Sequence, residues 1–412
     1  MSVPPARAAR ILERARLDFS SIQDPRDARG RRFELPGLLR QMLLGLATLS
    51  SSCRGFEAVG ERLSPRVLRR LGLAKTASDT SLYELLARLS PEGFREVCFE
   101  MVRRDVRSHA IRNDLFPVGV LTVDGKGCGG GRGSVTDAAV RKNVFDKKGS
   151  ACWDLYALRA SLTSSSARPL LDQEFVRSNQ HETKAFPALW ARMCANFGRL
   201  FSLVTLDAGF TSAANAQLIV ASGKDYLIAL KAQNKRRFLL AEEALASRPV
   251  AARTVERAQG NLNTRELRRA KAPVDFRFPG AVEVWSVCRT AEGSQEREVE
   301  NRIFIVSELA AKLSDEHALA LVRQHWGIEN GPNWTLDVMM GEDTGAPCTA
   351  GNALSVISWL RVLAYNLLSV FRAHLPAKDR KPRSWEFAAQ MLREAFIYFH
   401  FLLPTPDPVR SG

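Results

Sequence analysis

The chain has no Cys-x-x-Cys pair, no glycine loop with phosphate-loop spacing and no charge-free apolar run of membrane-spanning length. Each absence removes a class of protein. The seven cysteines, Cys53, Cys98, Cys128, Cys152, Cys194, Cys288 and Cys348, are odd in number and far apart. That argues against a disulfide framework or a structural zinc site and fits a reducing cytosol. The glycines between Gly127 and Gly133 open no helix, so a mobile loop is a sufficient reading of them. The amino terminus carries Arg7, Arg10, Arg14 and Arg16 without an apolar core segment, unlike a secretory signal. The most hydrophobic window, Ala353 to Phe371, is interrupted by Ser355, Ser358, Arg361, Asn366 and Ser369. It reads as a buried helix, because an arginine in mid-span is costly in lipid, and no membrane partner is expected.

A length of 412 residues allows a large core and two or three structural units. Hydrophobic and charged fractions of 45% and 25% are those of a globular chain and exclude a disordered tail. The net charge of +15 comes mainly from arginines spread along the chain. It points to a polyanionic partner, nucleic acid first and an acidic membrane surface second.

Residues 1–112 read as a helical domain. Leu35, Leu38, Leu39, Met42, Leu43 and Leu46 recur at helical spacing, as do Leu82, Leu85, Leu86 and Leu89 behind a cap at Ser78 or Asp79. Arg7, Arg10 and Arg14 share one face of a possible first helix, either a phosphate-contacting face or a solvated one.

The pattern then changes to an α/β core, residues 113–234 and 307–375. Val118 to Lys126 is an apolar run stopped by Asp124-Gly125, and Phe201 to Leu206 is a second, stopped by Asp207. Strands are expected also at Trp153 to Leu162, Pro169 to Val176 and Asp225 to Leu230, the last closed by Lys231, with helices at the Phe186, Leu189, Trp190, Met193, Phe197 stripe and at Ser212 to Ala221. Strands alternating with helices imply a sheet with parallel members, and acids at strand ends face the crevice where such sheets bind ligands. Residues 235–306 read as a β-rich insertion with basic clusters. A helix from Ser314 or Asp315 through Asn330 follows, carrying Arg323, His325, Trp326 and Glu329 and stopped by Gly331-Pro332. Residues 376–412 form a basic and aromatic tail, with a linker at Pro376 to Arg383.

Three carboxylates from separate elements are the donor set of a magnesium site, which prefers hard oxygen and leaves room for water and a phosphate. Two such ions can activate a nucleophile and stabilise a leaving oxygen in phosphodiester cleavage. Asp124, Asp207 and Glu329 are the candidates. Lys231 and Arg323 stand next to the second and third and are placed to hold phosphates, and Trp326 is either a base-stacking platform or a core residue.

Asp124-Gly125-Lys126, Thr205-Leu206-Asp207-Ala208, Asp225 to Lys231, and Arg323-Gln324-His325-Trp326-Gly327-Ile328-Glu329-Asn330 followed by Trp334, Leu336-Asp337-Val338 and Gly341-Glu342-Asp343 resemble the DDE transposases of bacterial insertion sequences, of the ISAs type. Asp24-Pro25-Arg26-Asp27 and Arg31-Arg32 resemble the domain preceding the core in that group. The resemblance runs in order from about residue 20 to 372. It implies a ribonuclease-H-like mixed-sheet core holding the β-rich insertion, and a metal-binding catalytic triad of Asp124, Asp207 and Glu329. It implies two Mg2+ ions, with Mn2+ as a substitute, and cutting of element ends with joining of their 3′ hydroxyls to target DNA. The partners implied are double-stranded DNA, as terminal inverted repeats and target, and a second copy in a synaptic homodimer in the bacterial cytoplasm at the nucleoid. Lys126, Lys231, Arg265, Arg323, His325, Trp326 and Asn330 are its expected DNA contacts. The chain departs from the family pattern at Gly127, where threonine is usual, at His181-Glu182, where Asn-Glu is usual, and at Pro332-Asn333, where Leu-His is usual. The alternative these departures leave is a degenerate or domesticated copy that binds DNA without catalysis.

Overall fold

The computed structural model describes residues 10–11, 13–145, 149–178, 181–258, 261–292, 297–375 and 385–397. Arg7, Lys147, Lys148 and the Pro376 to Arg383 linker lie outside them. The chain divides into two compact units. One comprises Met1–Ile111, Gly127–Tyr156 and Asn333–Gly412, the other Arg112–Lys126 and Ala157–Pro332.

The second unit is mixed α/β. Its strands are drawn from β1 (Val120–Gly131), β3 (Ala151–Leu162), β4 (Leu170–Phe175), β5 (Leu203–Leu206), β6 (Asp225–Leu230), β7 (Ala252–Ala258), β8 (Asn261–Lys271), β9 (Glu283–Glu292) and β10 (Arg297–Val306); β2 (Arg141–Phe145) belongs to the first unit. The order across this sheet is β4-β3-β1-β5-β6-β10-β9-β8-β7. The centre is parallel, β1 to β5 and β5 to β6, and the wing from β6 through β10, β9 and β8 to β7 is antiparallel. The residues of 235–306 thus continue the sheet through β10, whose Ile303 to Val306 pair with Leu230 to Leu227 of β6.

The parallel centre forms where the chain offers apolar runs buried on both faces, Val120 to Val123, Leu203 to Leu206 and Tyr226 to Leu230. Helices α1 (Glu182–Phe197), α2 (Ala213–Ala221), α3 (Lys235–Ala246), α4 (Glu308–Ala311) and α5 (Asp315–His325) connect or cover the strands. Ser212 caps α2 by accepting from the Asn215 amide at 3.1 Å, and Ser314 caps α5 by accepting from the His317 amide at 3.3 Å. Ala318, Leu319, Leu321 and Val322 of α5 bury their apolar face with Leu227, Trp285, Val287 and Phe304 of the sheet.

Three expectations are corrected. Strand β1 does not stop at Asp124-Gly125 but runs on through the glycine-rich stretch to Gly131. Glycine permits this where side chains would not: a Cβ on Gly131 would stand 2.6 Å from the Trp153 ring. The segment opening with Lys235, Arg236 and Arg237, expected only as part of a β-rich insertion, is the helix α3. Helix α5 ends at His325 rather than Asn330, and Glu329–Asn333 is a π-helical turn with Pro332 inside it. Proline lacks the N–H that would continue an α-helix and clashes with the carbonyl four residues back, so the turn widens.

In the first unit, helices Leu35–Ala47, Asp79–Arg88 and Phe94–Arg107 pack against Ala353–Ala373, Cys53–Glu61 and Pro65–Leu71 pack against Leu35–Ala47, and Ser78 caps Asp79–Arg88. Ala353–Ala373 is long and apolar enough to span a membrane, but the whole of its apolar window is buried in protein. Its Arg361 donates to the carbonyls of Gly341 and Gly345, each at 3.0 Å. Where an aromatic tail was expected, Trp385–Ile397 is a helix whose Trp385 ring lies 5.7 Å from Tyr365. Arg14 is drawn to the buried carboxylate of Asp105 at 3.4 Å. None of the seven cysteines is in a disulfide.

Candidate active site

The interval between Asp124 and Asp207 is the register of the sheet. Val120, Leu121, Thr122 and Val123 of β1 pair with Leu203, Val204, Thr205 and Leu206 of β5, a constant offset of 83. One residue further along both strands come Asp124 and Asp207. Beneath them the buried Thr122 hydroxyl meets those of Thr205 and Thr163, each at 2.8 Å, so the polar atoms of this rung satisfy one another.

Asp124 lies in mid-strand and is largely buried. Burial first, then the charges of Glu329, Asp207 and Glu182, push its carboxyl up to about 7, against a hydrogen bond from the Gly125 amide. Asp207 ends β5 with its side chain 42% exposed and Lys231 at 3.7 Å, a pair too solvated to contribute more than about 1 kcal/mol. Glu329 stands half-exposed on the π-helical turn. Burial raises its pKa, Arg302 opposes, and Asp207 and Glu300 add to the rise.

The three acids from β1, β5 and the turn after α5 therefore lie within electrostatic reach of one another, all within the second unit. Among the described residues no three acidic, histidine or cysteine side chains stand close enough to hold one ion between them. The donors are nonetheless of the type magnesium takes, hard oxygens from separate elements. A nearby cation also relieves the repulsion that raises Asp124 and Glu329.

The sign of the Asp124 shift gives a pH dependence. In metal-free protein the folded state keeps the Asp124 proton up to about pH 7, whereas the unfolded chain releases it near the ordinary carboxylate value. Stability from this group is present at low pH and is lost as pH rises toward 7. Thermal unfolding in EDTA should find Asp124→Asn more stable than wild type at pH 8, with the gap closing by pH 4.5. Parallel pH curves for the two proteins would contradict the assignment.

Beside Glu329 opens a cavity of about 680 Å3 walled by Arg168, Arg265, Arg289, Arg302 and Arg323, with Glu256, Trp326 and Asn330. Sheet register builds this wall. Thr254 pairs with Arg265, Arg265 with Arg289, and Arg289 with Glu300, so two guanidinium groups lie directly opposite on neighbouring strands. Like charges so placed destabilise the pair unless anions compensate. Glu256 receives Arg265 and, at 2.8 Å, Arg323, and Glu300 receives Arg302 at 2.6 Å. Burial pushes the Glu256 carboxyl up, but the two arginines outweigh it and hold it below the usual range. Arg289 is held by the neutral Asn263 Oδ1 at 2.9 Å, with Glu298 only at 3.8 Å. Arg302 lies over the Trp326 ring, 4.8 Å from its centroid. The five arginines against Glu256, Glu300 and Glu329 leave the wall cationic.

The structure brings Arg265, Arg323, Trp326 and Asn330 together with Glu329 on this cavity. Lys231 stands beside Asp207, and Lys126 lies two residues past Asp124 on β1, on the same face by strand alternation. His325 is placed apart from them: only 5% exposed, its ring pushed down to about 4, first by burial, and so neutral. Sequence reading passed over Arg168, Arg289 and Arg302, and met Glu182 only within a departure from the family pattern. The alternation along β9 and β10 was the signal available for Arg289 and Arg302.

The transposase DDE domain family matches residues 142–367, more than half of the chain. The chain belongs to that family. The matched span holds Asp207, Glu329 and every residue named on the cavity wall, and begins after Asp124. The Escherichia coli (strain K12) protein YbfL is 27% identical to this DDE-domain protein over 394 residues, 88% of this chain and 93% of YbfL. YhhI of the same strain, an H repeat-associated protein named as a transposase, is 39% identical over 94 residues, 22% of this chain and 24% of its own. A solved structure, the piggyBac transposase synaptic complex with hairpin DNA, matches with a TM-score of 0.46 at 13% identity, over 98% of this chain and 83% of that one. That likeness is too slight to transfer residues.

Proposed function

We propose that this DDE-domain protein is an insertion-sequence transposase of the ISAs type, which cuts DNA at element ends and joins the freed 3′ hydroxyls to target DNA on a ribonuclease-H-like core. The observation that carries the reading is that Asp124 and Asp207 follow register-paired residues of neighbouring parallel strands, with Glu329 within electrostatic reach of Asp124 and beside a cationic cavity.

Asp124 and Asp207 would hold divalent cations from the sheet side and Glu329 from the turn after α5. When bound, two Mg2+ ions supply an activated attacking oxygen and stabilise the leaving one. The chain's own part is positional. Arg265, Arg323, Lys231 and Lys126 grip phosphates, Trp326 and Asn330 meet the strand nearest Glu329, and His325, buried and neutral, supports Trp326, whose ring centroid is 6.0 Å from its own. The 235–306 insertion then forms one wall of the DNA channel, and a second copy completes the synaptic complex.

Duplexes taken from the DNA flanking the gene, incubated with the protein and Mg2+, should be nicked at the element boundary and joined to a target plasmid. Tight binding with no cleavage under Mg2+ or Mn2+ would replace this reading with a DNA-binding protein that has lost catalysis.

A further inference from the structure

Strand β7 is the last of the sheet, so it has a neighbouring strand on one side only. Glu256 of this strand pairs with Asn263 of β8, and Arg265 lies diagonally beside it on the same face. Its Oε1 accepts from Arg265, and its Oε2 accepts from Arg323 of α5 at 2.8 Å. One oxygen to each of two guanidinium groups is how the two non-bridging oxygens of a phosphodiester are held. The Glu256 side chain is 33% exposed, so its carboxylate can leave this position for water without crossing a packed interior.

A surface ion pair tying α5 to β7 would account for one of these contacts. It does not account for the surplus of guanidinium groups around them. The same wall carries Arg168, Arg289 and Arg302, and Arg289, directly opposite Arg265, is met by the neutral Asn263 at 2.9 Å with Glu298 no nearer than 3.8 Å. A wall short of anions even with Glu256 in place is one that takes an anion from outside.

We propose that Arg265 and Arg323 form a seat for one backbone phosphodiester of DNA, closed in the free protein by Glu256, which the phosphate displaces. The proposal rests on the reading above of a protein that acts on DNA. Glu256 then sets how tightly the wall takes DNA of any sequence, because a phosphate contact carries no base information.

The test is fluorescence anisotropy of the full chain in EDTA, across a series of salt concentrations, with two labelled duplexes: one from the DNA flanking the gene and one of the same composition in scrambled order. Glu256→Gln should tighten both complexes about tenfold at low salt, the worth of one competing hydrogen bond between charged groups, and steepen the fall of log K with log salt by about one, the increment of one more neutralised phosphate. Glu256→Asp keeps the charge one methylene short of the arginines and should show part of the gain, so the seat is tested even where Glu256→Gln unfolds. Glu308→Gln removes the same charge from an exposed pair with Lys312 and should leave both affinities within about threefold. In a chain carrying Arg265→Ala and Arg323→Ala, Glu256→Gln should add nothing. An equal gain in Glu308→Gln, or a gain in Glu256→Gln that survives without the two arginines, overturns the seat, since net charge alone then explains it. Wild-type binding that Glu256→Gln leaves unchanged in affinity and salt slope also overturns it and leaves the proposed function standing. Wild type and Glu256→Gln that both bind neither duplex overturn the two together.

Discussion

Asp124→Asn, Asp207→Asn and Glu329→Gln should each lower Mg2+-dependent cleavage and joining by on the order of 10^3-fold or more, as removing an essential charge-stabilising group does. Affinity for the same DNA should stay within about threefold of wild type. The separation follows from where the groups lie. On the proposed reading the acids repel phosphate, so neutralising one would remove a metal ligand without removing a grip on DNA, which would come from the cationic cavity wall and the lysines at 126 and 231. Asp124 should show the largest loss. It is the most buried of the three. Full activity in any of the three variants would remove that residue from the centre.

The second large effect is on stability. Arg192 of α1 donates to Asp172 at 2.7 Å and to Glu174 at 2.6 Å, and the Asp172 side chain is 0% exposed. Arg192→Ala removes this ion pair from a buried carboxylate, a change that costs about 3–5 kcal/mol. Urea unfolding monitored by tryptophan fluorescence should show a matching fall in midpoint. A loss below about 1 kcal/mol would mean that β4 and α1 are held by packing alone. Because the same contact fixes the end of the sheet against α1, a partial-unfolding phase should appear first in Glu182 to Phe197 under hydrogen exchange.

Much of the parallel centre was legible because its strands are short apolar runs punctuated by acids and glycine. Asp225 to Leu230 and the Ser212 cap fall where periodicity puts them. The end of β1 was not legible, since Asp-Gly is a turn signal in any single strand. Only the neighbouring Trp153, unknown from sequence, shows why glycines let the strand continue. Helix α3 was hidden because Lys235, Arg236 and Arg237 crowd the positive end of its dipole, and only Ala241 and Leu245 of it are buried.

Within the candidate site, Asp124, Asp207 and Glu329 could be named from spacing and resemblance. That they come within electrostatic reach of one another could not be derived, because it depends on the register of β1 against β5 and on the π-helical turn at Glu329–Asn333. Arg289 and Arg302 lie on strands whose pairing has to be known before their alternation means anything. Glu182 becomes part of the neighbourhood of Asp124 only when α1 docks on the turn at Phe210.

The most direct measurement is the anomalous difference density of crystals soaked in Mn2+. The account predicts a peak bounded by the carboxylates of Asp124 and Asp207 with Glu329 turned toward it. Manganese bound elsewhere while these acids stay unliganded, or side chains of the three pointing to separate regions, would contradict it.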